Sequence, residues 1–345
     1  MTAAANLSAP LRTPMSNAVA IKGLTKTFGP KAAVRDLDLV VPTGSLCGFI
    51  GPNGAGKTTT IRMIMSIIFP DRGELSVLGR DSADQSKDRI GYLPEERGVY
   101  RKMKVAAFLT YMARLKGVDG GAMLKRKVHG WLERMGLAES ARKRCEELSK
   151  GMQQKVQFIA AVIHEPDLLI LDEVFSGLDP VNRKLMRTLI DEQHRAGRTI
   201  IFSTHAMYEA EQLCDRLFMI HHGVKVLDST LAEIQSRFDP RTVIIEPLAE
   251  TDAGRAEAAL AAVAGVDSLR RTREGFEVHI EAGADARAVM GLLVREVPVR
   301  KVELKRVTLE DVFISLVEGT PIAAGESAED LRAAVAAPGV EGVAT

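Results

Sequence analysis

The chain has 345 residues, 46% hydrophobic and 26% charged, a globular composition long enough to call for two hydrophobic cores rather than one. A formal net charge of +1 lacks the basic excess of a dedicated nucleic-acid binder. Three widely separated cysteines, Cys47, Cys145 and Cys214, have no metal-ligand spacing and read as reduced thiols, which excludes a disulfide framework or a zinc cluster.

In chain order, residues 1–18 are Ala/Ser/Pro-rich without an apolar signal core and read as a disordered tail. The apolar run Leu46–Ile50 reads as a buried strand. It leads into Gly51-Pro52-Asn53-Gly54-Ala55-Gly56-Lys57-Thr58, a match to G-x-x-x-x-G-K-[ST]. A helix is predicted from Thr59 to Ile68, with Ile61, Ile64, Met65 and Ile68 on one face. In such a strand–loop–helix, glycines leave backbone N–H groups free to wrap a polyphosphate, and the helix N-terminus adds positive potential. Lys57 then reaches the β and γ phosphates and the Thr58 hydroxyl ligates Mg²⁺, so the segment predicts nucleotide binding.

Gly91-Tyr92-Leu93-Pro94-Glu95-Glu96-Arg97 reads as a short strand ending in an acidic loop. From about Met103 to Glu147 the chain is predicted helical and basic, an insertion whose Lys125-Arg126-Lys127 and Arg142-Lys143-Arg144 runs suit solvated helix faces or a docking surface. Ser149 and Gly151 open a helix with Met152, Val156, Ile159 and Ile163 at its apolar positions. Two further buried strands, Leu168–Leu171 and Thr199–Phe202, end close to Asp172-Glu173 and Ser203-Thr204-His205. Between them Asp179-Pro180 starts a helix, Asp as N-cap and Pro at N1, that Gly197 ends.

Beyond Asp239-Pro240 the order of predicted elements is β-α-β-β-α-β, which suggests a small ferredoxin-like α+β domain; a last helix covers Leu309–Val317. The expected organisation is a tail over 1–18, a nucleotide-binding domain over 19–238, an accessory domain over 240–319 and a disordered tail over 320–345. No uninterrupted apolar run approaches the ~18 residues of a membrane span.

The segment Leu148-Ser149-Lys150-Gly151-Met152-Gln153-Gln154, ahead of Leu168-Leu169-Ile170-Leu171-Asp172-Glu173, resembles the ATP-binding cassette (ABC) family of ATPases over about Val19 to Leu231. That resemblance implies an α/β phosphate-loop fold, a RecA-like core carrying a helical subdomain. It implies ATP and Mg²⁺ as cofactors, with residues 51–59, from Gly51 through Thr59, cradling the phosphates. Thr58, Asp172 and Glu95 hold the metal, and Glu173 polarises the attacking water, a role worth ~10²–10⁴-fold. His205 matches the switch histidine that contacts the γ-phosphate. Phe28, in Lys26-Thr27-Phe28-Gly29, matches the aromatic that stacks on adenine, with a buried core Phe as the competing reading. Glu95 stands where most members have Gln, with Glu96 as an alternative operative residue, and Val174 stands where Pro is common. Ser149, Gly151 and Gln153 in the signature segment, and Asp179 in Ser176-Gly177-Leu178-Asp179, face the ATP of a second cassette, so the expected working unit is a head-to-tail dimer, a homodimer by default.

The phrasing of residues 92–100 and 148–156 is closest to a prokaryotic exporter subgroup that includes sodium-extrusion ATPases and often carries an extra C-terminal domain. The expectation is therefore an exporter ATPase on the cytoplasmic face of a membrane, beneath a separate multi-span subunit. The alternative is a non-transport cassette ATPase acting on nucleic acid or ribosomes. It is disfavoured because neither a second cassette nor a long coiled-coil insertion is present. A nucleotide-sensing scaffold without turnover is disfavoured by Lys57, Asp172, Glu173 and His205 together.

Overall fold

The computed structural model describes residues 17–96, 98–237 and 241–318, and the chain divides into two units between Asp228 and Ser229. In the first unit, β1 (Asn17–Phe28) and β2 (Lys31–Pro42) form an antiparallel pair. Next come β3 (Leu46–Ile50), α1 (Lys57–Ile64) and β4 (Arg72–Val77), and β4 returns to β1 to complete a three-stranded sheet ordered β2-β1-β4. After β5 (Ile90–Leu93) the chain turns helical through α2 (Val105–Leu115), α3 (Ala122–Arg134) and α4 (Lys150–Val162). It then alternates through β6 (Leu168–Asp172), α5 (Pro180–Arg195), β7 (Thr199–Thr204), α6 (Met207–Leu213), β8 (Arg216–His221) and β9 (Val224–Thr230).

Six strands form one sheet ordered β5-β6-β7-β3-β8-β9, in which β5, β6, β7, β3 and β8 pair in parallel. Every residue of β3, β6 and β7 is buried, as expected of apolar strands covered on both faces. The register levels their carboxyl ends: Asp172 stands opposite Ser203, Phe49 opposite Ser203 from the other side, and Ile50 opposite Thr204. Ligands of such sheets bind in the crevice beyond the strand ends. This alignment is why segments more than a hundred residues apart in sequence meet there. Phe49, Phe158, Phe202 and Phe218 are fully buried and anchor the layers, each contributing roughly 1.5–3 kcal/mol of transfer free energy.

Two local expectations need correcting. The helix after the phosphate loop ends at Ile64, not Ile68, because Ser66 takes φ 54° and turns the chain. Met65 and Ile68 still pack on the same core from the loop, which is why the apolar spacing continues past the helix. At the other end, Asn17 and Ala18 belong to β1 rather than to a tail; Ala18 is buried, and its carbonyl accepts from Leu78 N at 2.7 Å. The remainder of that tail, the Asp239-Pro240 link and the tail over 320–345 lie outside the described residues.

The second unit contains α7 (Leu231–Arg237), β10 (Thr242–Pro247), α8 (Ala253–Ala261), β11 (Val266–Arg271), β12 (Phe276–Ile280), α9 (Ala286–Glu296), β13 (Val299–Leu304) and α10 (Leu309–Glu318). Its antiparallel sheet runs β11-β12-β10-β13, the strand order of the β-α-β-β-α-β arrangement anticipated above. Asp252 and Asp285 cap α8 and α9 by accepting from Arg255 N and Arg287 N at 2.8 and 3.0 Å. Val243, Ile245, Leu260, Val278 and Leu293 form its core.

Candidate functional site

The loop between β3 and α1 folds tightly because two of its glycines have no room for a side chain. A Cβ on Gly51 would sit 2.2 Å from the Ile220 carbonyl oxygen, and one on Gly56, at φ 113°, 2.6 Å from that of Ala33. Lys57 is buried and curls back into the loop, donating from Nζ to Gly51 O at 2.6 Å and Pro52 O at 3.2 Å. Burial pushes its pKa below the usual lysine value, while Glu173, Asp172 and Glu95 pull it back up. The loop is thus a cradle with a desolvated cation at its base.

Above it opens a cleft of about 400 Å³ lined by Phe28, Lys31, Ala33, Asn53, Gly54, Ala55, Gly56, Lys57, Thr58, Thr59, Glu95 and Glu173. Phe28 is 53% exposed at the end of β1, which removes the buried-core reading of this ring. Asp71 holds that strand end: its carboxylate accepts from Lys26 Nζ at 2.8 Å and from Thr27 N and Oγ1 at 2.7 Å each, and these bonds keep its pKa well below the carboxylate range. Glu95 lines the cleft, whereas Glu96 points to solvent and pairs with Arg62 at 3.4 Å.

Asp172 lies behind the cleft, fully buried, with no hydrogen-bond partner on either carboxylate oxygen among the described residues. Burial raises its pKa, and Glu95 and Glu173 add to the shift. Ser203 and Lys57 oppose it, although Ser203 Oγ does not reach hydrogen-bond geometry. An orphaned buried carboxylate asks for a cation. Among the described residues, no three or more His, Cys, Asp or Glu side chains gather as a metal cage. A few protein oxygens supplemented by phosphate oxygens is the donor set that suits Mg²⁺. Asp172, Glu95 and the Thr58 hydroxyl fit that demand.

Glu173 adopts φ 51°, a left-handed conformation that costs a non-glycine residue about 1–3 kcal/mol and persists only when its surroundings enforce it. Two neighbours do so. Its N–H donates to Ser203 O at 3.0 Å, and its Oε1 accepts from His205 N at 3.0 Å and from His205 Nδ1 at 2.8 Å. His205 touches the cleft through Glu173 rather than lining it.

Ser149, Gly151, Gln153 and Asp179 do not line the cleft. Ser149 caps α4 by accepting from Met152 N at 3.3 Å, and Gln153 Nε2 donates to Cys145 O and Leu148 O at 3.0 and 3.2 Å. Asp179 caps α5 through Asn182 N at 2.9 Å. Gly151 lies next to the Gly177–Leu178 stretch. Buried Gln154, one turn on, donates to Val174 O at 3.2 Å, so the start of α4 is tied to the chain just after Glu173. Sequence reasoning missed Lys31, which opens β2, and Asp71, which immediately precedes β4. A lysine three residues after Phe28 was the available signal for the first.

A family model for ABC transporters matches residues 34–176. An uncharacterised ABC transporter ATP-binding protein of Bacillus subtilis (strain 168), YhaQ, is 41% identical over 297 residues, 86% of this chain and 97% of its own. The chain belongs to the ABC transporter ATP-binding proteins. A second model, the C-terminal domain of DrrA1-3-like ATP-binding proteins, matches residues 230–317 of this ABC subunit. The daunorubicin/doxorubicin resistance ATP-binding protein DrrA of Streptomyces peucetius is 31% identical, covering 89% of this chain and 94% of its own. A solved ATP-binding subunit of an ABC transporter superposes with TM-score 0.60 at 32% identity, over 64% of this chain and 92% of that one. Among the described residues no helix is long and apolar enough to cross a membrane.

Proposed function

We propose that this ABC subunit hydrolyses ATP to ADP and phosphate as one half of a cassette dimer, and that it energises export through a separate membrane-spanning protein. The observation that carries the reading is Glu173, held in a strained backbone conformation by Ser203 and His205 and lining a cleft that is also lined by Lys57. Strain of this kind collects where chemistry needs a fixed side chain.

Phe28 offers its exposed face to the base, and the loop N–H groups with Lys57 and Lys31 meet the phosphates. Mg²⁺, which Thr58, Asp172 and Glu95 would hold, supplies neutralisation of charge on the phosphate oxygens. His205 occupies Oε1 of Glu173, which leaves Oε2 to accept the proton of the attacking water. Phosphoryl transfer asks chiefly for such positioning and charge compensation. Because Ser149, Gly151, Gln153 and Asp179 lie off the cleft, they are assigned to the nucleotide of a second copy.

Export is supported by the resistance-type relative and by the match to the DrrA-like C-terminal domain. Co-purification with a multi-span protein, followed by ATP-dependent transport in vesicles containing both, tests the coupling. Co-purification with ribosomes or nucleic acid instead would overturn it. The ATPase assignment is tested by phosphate release from the purified chain, which Lys57→Ala must abolish and Glu173→Gln must lower by roughly a hundredfold or more.

A further inference from the structure

Among the described residues two carboxylates are buried, Asp172 and Glu209. The first is assigned to the metal above; the second does not line the cleft, and the mechanism above leaves it without a task. Glu209 sits on α6, which begins two residues after His205. Arg187 Nε, from α5, donates to Glu209 Oε2 at 3.0 Å, and Arg187 Nη2 reaches the same oxygen. Arg183 Nη1, one turn earlier on α5, lies 3.7 Å from Oε1.

Both arginines also grip the segment that leads from Glu173 to Asp179. The Arg187 guanidinium lies 5.8 Å from the ring centroid of Phe175 and 5.8 Å from that of Tyr208. Arg183 Nε donates to Leu178 O at 3.0 Å. Only the carboxylate of this ion pair is buried, Arg187 being part-exposed, and the desolvation of Glu209 makes it a poor device for stability alone. A forked guanidinium on a carboxylate, with aromatic rings beside it, fixes geometry well. What this cluster fixes is the separation of two chain segments, one starting at Glu173 and the other at His205.

We propose that Glu209 and Arg187 are a positioning pair: they hold the Glu173–Asp179 segment against the His205 segment, so that the Glu173–His205 hydrogen bond keeps its hydrolytic geometry. The proposal rests on the reading of Glu173 as the base and His205 as its anchor. Misplacing a reacting group by about 1 Å costs on the order of a hundredfold in rate. Glu209→Gln and Arg187→Lys, each in the full chain, are therefore expected to lower kcat by roughly ten- to a hundredfold, while KM and the Kd for ATP stay within about twofold.

Leu189→Ala, a truncation of a buried residue on the same helix, serves as the control. It is expected to lower Tm at least as far as Glu209→Gln while retaining the parental kcat at 25 °C. Parental kcat in both Glu209→Gln and Arg187→Lys overturns the proposal, as does a loss of kcat in Leu189→Ala that tracks Tm in the same way. Should Glu209→Gln fail to fold, Arg187→Lys, whose side chain is partly solvent-exposed and retains its charge, decides the matter alone. Glu173→Gln, measured alongside, separates the two levels. If it turns over normally, the underlying assignment of the base fails. If it is inactive while the pair variants are fully active, only the positioning role fails.

Discussion

Replacing Glu173 by glutamine isolates one proton-accepting oxygen with little other change. The amide oxygen still accepts from His205 N and Nδ1, which lie 3.0 and 2.8 Å from Oε1, so the strained loop keeps its anchor. Exchanging a charge-assisted bond for a neutral one costs about 1 kcal/mol or less per bond. Removing the charge also relieves Asp172, whose carboxyl Glu173 helps to push up. The net change in stability is then about 1–2 kcal/mol at most, a Tm shift of only a few degrees for a unit of this size. Loss of the base, by contrast, removes roughly 10²–10⁴-fold of rate, or about 2.7–5.5 kcal/mol of barrier. Phosphate release at saturating ATP should fall by that factor, while calorimetric ATP affinity is kept and the nucleotide-bound dimer accumulates on gel filtration. Turnover within tenfold of the parent would refute the assignment of Glu173. A parallel collapse of ATP affinity would show that the residue shapes the cleft rather than the chemistry.

Lys57→Ala removes the cation at the base of the cradle and should weaken ATP binding at least tenfold in calorimetry; unchanged affinity would contradict the phosphate contact. Ser149→Arg should leave ATP binding to the monomer intact yet abolish dimer-dependent hydrolysis, read by parallel binding and phosphate-release assays. Asp71→Asn loosens the strand end that presents Phe28 and should weaken ATP affinity by less than about tenfold with kcat retained. Because the folded-state pKa of Asp71 is depressed, its contacts stabilise the native chain above the ordinary value of 3.8 and are lost as pH falls toward the lower folded value. The Asn variant should therefore show a shallower loss of stability in acid unfolding. All three cysteines are buried, and burial pushes the Cys47 thiol up to about 11, so about one molecule in a thousand carries its thiolate at pH 8. Native protein should react with a thiol reagent far more slowly than denatured protein, which should titrate three thiols; rapid native labelling of Cys47 would contradict the packing of β3.

Parts of this architecture could be read directly because their signals are local. The phosphate loop is a short pattern whose glycines are dictated by backbone clearance, as the Gly51 and Gly56 contacts make plain. β3, β6 and β7 are continuous apolar runs, and buried parallel strands have few other signatures. The caps Ser149 and Asp179 follow from residue type and position alone. The antiparallel sheet β2-β1-β4 was not legible. Its two 12-residue strands carry bulges between Ile21 and Leu24 and between Leu24 and Lys26, which break the two-residue alternation a strand normally displays. Lys31, Ala33 and Asp71 were missed with it, although they form or brace one wall of the cleft. Glu209 was missed for a different reason. On paper it is one of two acids on a short helix, and only the fold brings Arg183 and Arg187 onto it from 22 or more residues away.

The central claim is that one nucleotide is served by residues of two chains, and complementation tests it without a structure. Chains carrying Lys57→Ala and chains carrying Ser149→Arg, each inactive alone, are mixed in equal amounts and assayed for phosphate release. A mixed head-to-tail dimer contains one site with both defects and one with neither. With random pairing the mixture should recover about a quarter of the parental rate. A mixture no more active than its two parents would contradict the shared site.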